Sequence, residues 1–423
     1  MRRVVLTWGA VLLALVLAPV AASAQSLPAA NQSLTNALNG GMRKIGGASS
    51  AYVVDLTTGQ PLYSDAAGTG RMPASVEKLY TTSTALLEFG PAATLSTTVW
   101  GAGSVSPSGA WTGTLYLRGG GDPTFGSASF DRSAYGAGAT VQRLVSSLVQ
   151  SLHLTSVQGE IVGDQTYFDS KRGTPATHYA GDIPDVEGLL GGLAYDRGYA
   201  NWTGTAAQRR PALYAAQQFA AALRSAKVSV PSSTRIYTGQ VPSDATELAA
   251  VQSPPMSKLI QLTNTPSDNY LAEMLLKGLG ARFGGAGTTA AGAAVVKQEV
   301  SSHFGIAPVL NDGSGLSRAD STSPLQVVTL LQQIYGNSDF YNSLAIAGKT
   351  GTLEHEARGT AAQGVCHAKT GTLRDVAALA GYCQARDGHE LAFAFLANRI
   401  GNPDYVHGVE ANTMAAALAK YDG

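Results

Sequence analysis

The spacing of apolar and polar positions divides the chain into three stretches of different texture. In the first, residues 30–45 read as a helix, and 51–56 and 60–63 read as two strands joined at Thr57-Thr58-Gly59. Leu79, Leu86, Leu87 and Phe89 then form a helical apolar stripe, entered from a loop with Gly68, Gly70 and Pro73 and ended at Gly90-Pro91. In the second stretch, 94–100 and 110–117 alternate like strands and close in a tight Gly119-Gly120-Gly121-Asp122-Pro123 loop. Val141, Leu144, Val145, Leu148, Val149 and Leu152 mark a helix, followed by a strand at 158–162. Residues 169–210 are loop-rich, with a helix at 211–226 and strands at 235–237 and 247–251 beyond them.

After Ser253-Pro254-Pro255 the texture reverts. Helices are expected at 255–263, 268–279, 287–304 and 323–336. Strands follow at 365–373, 376–384 and 391–398, separated by polar turns at Arg374-Asp375 and Asp387-Gly388-His389, and a closing helix spans 405–420. There is no internal repeat. The pattern predicts an α/β (α+β) domain built from both ends of the chain, 25–91 and 251–423, interrupted by an inserted strand-rich region at 92–250. Three domains in series is the alternative.

The first 24 residues read as a leader rather than as fold. Arg2-Arg3 precede an apolar run at 6–20 and a small-residue Ala22-Ser23-Ala24 site, which predicts cleavage before Gln25 and export. A retained anchor is the alternative, although the run is short for a spanning helix. The 29 basic and 29 acidic residues balance, and 14% of residues are charged, so nothing points to nucleic acid as a partner. Export also bears on Cys366 and Cys383, the only cysteines. With the hairpin turn at Arg374-Asp375 they stand opposite one another, which predicts a cross-strand disulfide; a one-residue slip would leave two buried thiols.

The candidate chemistry begins at Met72-Pro73-Ala74-Ser75-Val76-Glu77-Lys78-Leu79. Positions i and i+3 of a helix share a face, so the Lys78 amine can reach the Ser75 hydroxyl and, if desolvated and neutral, take its proton. The helix start leaves unpaired N–H groups where negative charge would develop. Alone, the pair also fits a solvated first turn. Ser267-Asp268-Asn269 opens another helix, where Ser267 fits an N-cap as well as a proton relay. Lys369-Thr370-Gly371-Thr372 lies on a predicted strand and can bind a carboxylate. Lys-Thr-Gly-Thr-Leu occurs twice, at 349–353 and 369–373. Only the second copy is followed by further apolar strands; Glu354, His355, Glu356 and Arg358 after the first cannot continue into a sheet core. The seven histidines show no metal-ligand spacing, so neither metal nor cofactor is expected. The 119–121 glycine run lacks the ending of a phosphate-binding loop, and no Gly-x-Ser-x-Gly elbow is present.

In this order, Ser-x-x-Lys, Ser-Asp-Asn and Lys-Thr-Gly resemble the signature of penicillin-binding proteins and class A β-lactamases. Leu117-Arg-Gly-Gly-Gly-Asp-Pro123, Asn311-Asp-Gly-Ser-Gly-Leu-Ser-Arg318 and Ala368-Lys-Thr-Gly-Thr-Leu373 are similar to the class C low-molecular-mass penicillin-binding proteins, D-alanyl-D-alanine carboxypeptidases and endopeptidases. The resemblance covers essentially the whole mature chain. That family has a large region inserted between the first two motifs, and here 192 residues separate Ser75 from Ser267. The resemblance implies a β-lactamase/transpeptidase-like domain, a peptidoglycan stem-peptide substrate, covalent inhibition by β-lactams and a periplasmic or extracytoplasmic location. It casts Ser75 as nucleophile, Lys78 as base, Ser267 as proton relay, Asn269 as the substrate-amide ligand, and Lys369, Thr370, Gly371 and Thr372 as the carboxylate-binding strand. Ser75 and Thr372 would supply oxyanion N–H groups. Arg318, Asp164 and Phe168 are further candidates for the substrate groove, while Glu77 and Asp268 are read as structural. A β-lactamase and a non-catalytic penicillin-sensing or wall-binding protein are the alternatives.

Overall fold

The computed structural model describes residues 29–423, so the expected leader lies outside the described residues. The strands in chain order are β1 (Ala48–Asp55), β2 (Pro61–Asp65), β3 (Ser96–Val105), β4 (Ala110–Gly119), β5 (Ser156–Asp164) and β6 (Ile236–Thr238). They continue with β7 (Thr246–Gln252), β8 (Ala345–Ile346), β9 (Cys366–Leu373), β10 (Val376–Gln384) and β11 (Glu390–Asn398). Two sheets form. The first has the order β2-β1-β11-β10-β9-β8, is antiparallel throughout, and joins strands from both ends of the chain. The second, β6-β5-β4-β3-β7, uses only residues between 96 and 252.

The six-stranded sheet is covered on both faces, which is why β10 and β11 are nearly continuous apolar runs. Their side chains still alternate. Ala377, Leu379, Leu391, Phe393 and Phe395 enter a core with the Ala29–Ile45 helix and the C-terminal helices. Ala378, Ala380, Tyr382, Ala392, Ala394 and Leu396 enter a second core with the Lys78–Phe89, Met256–Asn264, Thr289–Phe304 and Pro324–Ile334 helices. Cys366 and Cys383 pair directly across β9 and β10 and are joined by a disulfide.

The five-stranded sheet is mixed. Its β4–β5 and β5–β6 pairs are parallel, each requiring a crossover, and the Val141–Leu152 and Pro211–Ser225 helices supply them while covering the sheet. Helices at Ala128–Ala134 and Ser338–Ser343, and the short β8, lie where no element was expected. The closing helix is not continuous: Pro403–Val409 and Ala416–Ala419 are joined by a π-helical turn, Glu410–Ala415. The segment between β5 and β6 packs on the Asn269–Phe283 helix. Phe168, Val186 and Leu190 bury against Tyr270, Leu271 and Met274, Lys277 bonds Asp169 at 2.6 Å, and Arg197 pairs with Asp268 while lying over the Tyr270 ring.

Candidate active site

Ser75 lies in a 3-10 turn, Ala74–Glu77, that runs straight into the Lys78–Phe89 helix. Ala74, before it, holds a left-handed backbone with φ +46°, a conformation that costs an L-residue energy and so needs support from its surroundings. The support is the 311–318 loop, whose Gly315 (φ +81°) packs so closely on the Ala74 carbonyl that no Cβ would fit. On the other side passes β9. A Cβ on Gly371 would lie 2.5 Å from Pro73 O and 3.1 Å from the Ser75 nitrogen, so only glycine lets the strand approach the serine this closely.

The Lys78 amine is fully buried and makes three contacts: Ser75 Oγ at 2.8 Å, Asn269 Oδ1 at 2.6 Å and Ser314 O at 2.8 Å. Two of these partners are carbonyl acceptors. A neutral amine has two N–H donors and one lone pair, so donating to both carbonyls turns the lone pair toward the Ser75 O–H. Burial pushes the amine down to about 8, against the opposing pull of Glu187, Asp312, Asp268 and Glu273. Lys369 is also fully buried, in the centre of β9, and donates to Thr370 O at 2.8 Å. Burial and the Lys78 charge hold it well below the ordinary lysine value. Lys349, from the earlier copy of the motif, is exposed in a loop after β8.

Asn269 starts its helix, but the cap is Asp268, whose carboxylate accepts from Leu271 N, and not Ser267. Ser267 instead takes a left-handed backbone, φ +69°, and its hydroxyl has no hydrogen-bond partner among the described residues. Asn269 Nδ2 donates to Asp185 O at 2.7 Å and its backbone N–H to Glu187 Oε2 at 2.9 Å. Those bonds orient the amide with its oxygen toward Lys78. Neither Asp185 nor Glu187 was singled out from sequence; both come from the loop-rich 169–210 stretch.

A groove of about 860 Å³ adjoins this cluster, lined in part by Asp185, Asn269, Ser317, Arg318, Thr372 and Arg374. Thr372 is exposed to it, whereas Thr370 is buried and donates its hydroxyl to Thr352 Oγ1 at 2.8 Å. Arg318 lies in the groove wall but is held in a two-pronged ion pair with Asp375, at 2.8 and 3.1 Å. The other two groove candidates are placed elsewhere. Asp164 is buried at the end of β5, where its carboxylate accepts from Thr166 and from Val241 N. Phe168 is a core side chain against Tyr270 and Met274, with the Lys277 amine over its ring.

Below Lys78 lie four buried carboxyl groups, Glu77, Glu273, Asp312 and Asp320. Glu77, Asp312 and Asp320 bring one oxygen each within 4.8 Å of one another, a spacing a cation could use. Neither oxygen of Glu77 receives a hydrogen bond, and burial with the neighbouring Asp320, Asp312 and Glu273 charges holds its carboxyl well above the usual range. A protonated Glu77 can donate to Asp320, which satisfies the pair without a metal.

A serine hydroxyl facing a desolvated lysine amine, beside an oriented amide and close to backbone N–H groups, is the machinery of serine acyl transfer. The chain belongs to the D-Ala-D-Ala carboxypeptidase 3 (S13) family, whose profile matches residues 30–186 and 188–420. It is 31% identical to the D-alanyl-D-alanine carboxypeptidase of Actinomadura sp. strain R39, over 89% of this chain and 82% of that protein. A carboxypeptidase of Mycolicibacterium smegmatis is 29% identical over 82% of this chain and 76% of its own length. Penicillin-binding protein 4 of Haemophilus influenzae has the same fold, with a TM-score of 0.71 at 20% identity, covering 91% of this chain and 99% of that one. That protein has also been solved in complex with a β-lactam.

Proposed function

We propose that this D-Ala-D-Ala carboxypeptidase acts on peptidoglycan stem peptides, or on D-alanyl cross-links between them, through an acyl-enzyme at Ser75. Lys78 accepts the Ser75 proton as Oγ attacks the carbonyl of the penultimate D-alanine. The Ser75 and Thr372 N–H groups receive the oxyanion, where losing one donor typically costs about 3–4 kcal/mol of barrier. Ser267 passes a proton to the departing amine, Asn269 binds the substrate amide, and the 369–372 strand binds the terminal carboxylate. Water then hydrolyses the ester. β-Lactams would acylate the same hydroxyl. The observation that carries the reading is the Lys78 amine, fully buried and within hydrogen-bond distance of Ser75 Oγ as well as of the Asn269 and Ser314 carbonyls.

The leader pattern supports export to the periplasm or extracytoplasmic wall. The sheet partition supports a catalytic domain of 25–91 and 251–423 with 92–250 as an inserted accessory region. The test is intact-mass and peptide mass spectrometry after incubation with labelled penicillin. One adduct on Ser75, absent from Ser75→Ala, is expected; label on another residue overturns the assignment. Faster turnover of penicillin than of D-Ala-D-Ala peptides would favour a β-lactamase instead.

A further inference from the structure

Behind Thr372 stands a second acid–imidazole–hydroxyl line that acyl transfer does not use. Thr372 Oγ1 lies 2.7 Å from His407 Nε2, and His407 Nδ1 lies 3.2 Å from Glu410 Oε2. His407 lies in the last turn of the Pro403–Val409 helix, and Glu410 opens the π-helical turn, three residues on. Glu410 is fully buried with its other oxygen unpartnered, while Thr372 is exposed to the groove. Other charged groups on the surrounding elements are Arg43 and Lys44 on the first helix, Lys369 on β9, Arg374 and Asp375 at its turn, Glu356 bonded to Asn412, and Asp404 on the same helix. Among the described residues none of these is hydrogen-bonded or ion-paired to His407 or Glu410.

The hydrogen-bond directions follow from the number of protons held. If the Glu410–His407 pair carries one proton beyond the neutral ring and the carboxylate, Nε2 bears an N–H. This holds whether the proton sits on the ring or on the buried carboxyl donating to Nδ1. Nε2 then donates to Thr372 Oγ1, and the Thr372 O–H is free to donate into the groove. Without that proton the ring gives its single N–H to the buried carboxylate, and bare Nε2 takes the Thr372 O–H. The groove then meets only hydroxyl lone pairs, backed by a negative charge. A carboxylate accepts hydrogen bonds and never donates them, so it suits the first state and is repelled by the second.

We propose that Glu410, His407 and Thr372 form a proton-gated recognition element, admitting the substrate's terminal carboxylate only while the acid–imidazole pair holds its proton. The inference rests on the carboxylate-binding role of the 369–372 strand. His407 and Glu410 are positioning residues: they act through Thr372. Burial raises the Glu410 carboxyl above its ordinary value, opposed by the hydrogen bond and charge of His407.

The test compares kcat/KM for a peptide ending in D-Ala-D-Ala with that for the same peptide ending in D-alaninamide, from pH 5 to 10. Titration of Lys78 affects both substrates and cancels in the ratio, whereas titration of Lys369 is common to wild type and variants, so the relay is read from the difference in slope between them. In the wild type the acid-to-amide ratio should fall as pH rises, with a limiting slope of about tenfold per unit for one proton. Glu410→Gln imitates the neutral carboxyl and should give a shallower fall of the ratio than the wild type. His407→Gln, which has no titrating ring, should also give the shallower fall. A wild-type ratio independent of pH, or the same slope in wild type and both variants, overturns the relay. Equal handling of acid and amide by the wild type at every pH would instead remove the carboxylate-binding role on which the relay rests.

Discussion

Glu187 offers a direct way to move the Lys78 titration without touching Ser75. Its carboxylate is the foremost charge opposing the burial that lowers Lys78, and its Oε2 accepts the Asn269 N–H. Glu187→Gln removes the charge and keeps an acceptor for that N–H. At an effective dielectric of about 20, unit charges about 6–8 Å apart interact by about 2–3 kcal/mol, or about 1.5–2 pKa units. Glu187 is only partly buried, so screening should reduce the shift to about half a unit to one unit. Removing a nearby anion makes protonated Lys78 less favourable, so its value moves down from about 8. If neutral Lys78 is the base, acylation rises with pH through that value. The variant's acid limb should therefore lie at lower pH, and its rate at pH 6.5 should exceed wild type by about 3–10-fold. The plateau should drop modestly, because a weaker base takes the proton less readily. Stopped-flow acylation by a fluorescent penicillin between pH 5.5 and 9.5 measures both. An unmoved limb, or one displaced to higher pH, would refute Lys78 as the titrating base.

Gly371→Ala should leave the chain folded yet slow acylation by about 100-fold or more, since the new methyl must push β9 from the Ser75 turn and misplace an oxyanion donor; normal penicillin labelling rates would count against the close approach. Glu77 carries a raised carboxyl value, so the folded state binds more protons than the unfolded chain above about pH 4.3, and stability falls as pH rises through that window. Glu77→Gln, measured by urea unfolding from pH 4 to 9, should remove up to about 1.4 kcal/mol per pH unit of that slope; an unchanged slope would mean Glu77 stays ionised. Replacing Cys366 and Cys383 together by alanine opens a link spanning a separation of 17 residues, and urea unfolding should show a loss of about 3 kcal/mol. A loss under about 1 kcal/mol would mean that the hairpin packing alone holds the register.

The parts legible in sequence are those whose signal is local or periodic. The runs that became β9, β10 and β11 are apolar and end in polar turns, so the turn position alone set Cys366 against Cys383. The Ser75–Lys78 contact follows from helical spacing. The strands and helix of the β4–helix–β5 unit were expected from periodicity, but their parallel pairing was not read from sequence. Two adjacent capping residues, Ser267 and Asp268, cannot be ranked by preference alone. The left-handed turn at Ser267 leaves Asp268 to cap the helix. Asp164 carried a readable alternative, because an aspartate two positions before Thr166 is poised to close a turn on that residue's N–H.

What sequence could not show is how the loop-rich 169–210 stretch bears on the reaction. It contributes no periodicity, and its polar groups gain meaning only from what they meet. Asp185 offers its carbonyl to Asn269 Nδ2, and Glu187 takes the Asn269 backbone N–H, so the side-chain amide has one orientation that satisfies every donor. In that orientation Oδ1 faces Lys78 and removes one of its N–H donors from competition for Ser75. The segment between β5 and β6 therefore orients the amide that faces Lys78, although it carries none of the three motifs. Arg197 and Lys277 tie the same helix to that segment through Asp268 and Asp169. Loosening those ties should disturb Asn269 before it disturbs Ser75, which is anchored independently between Gly315 and Gly371.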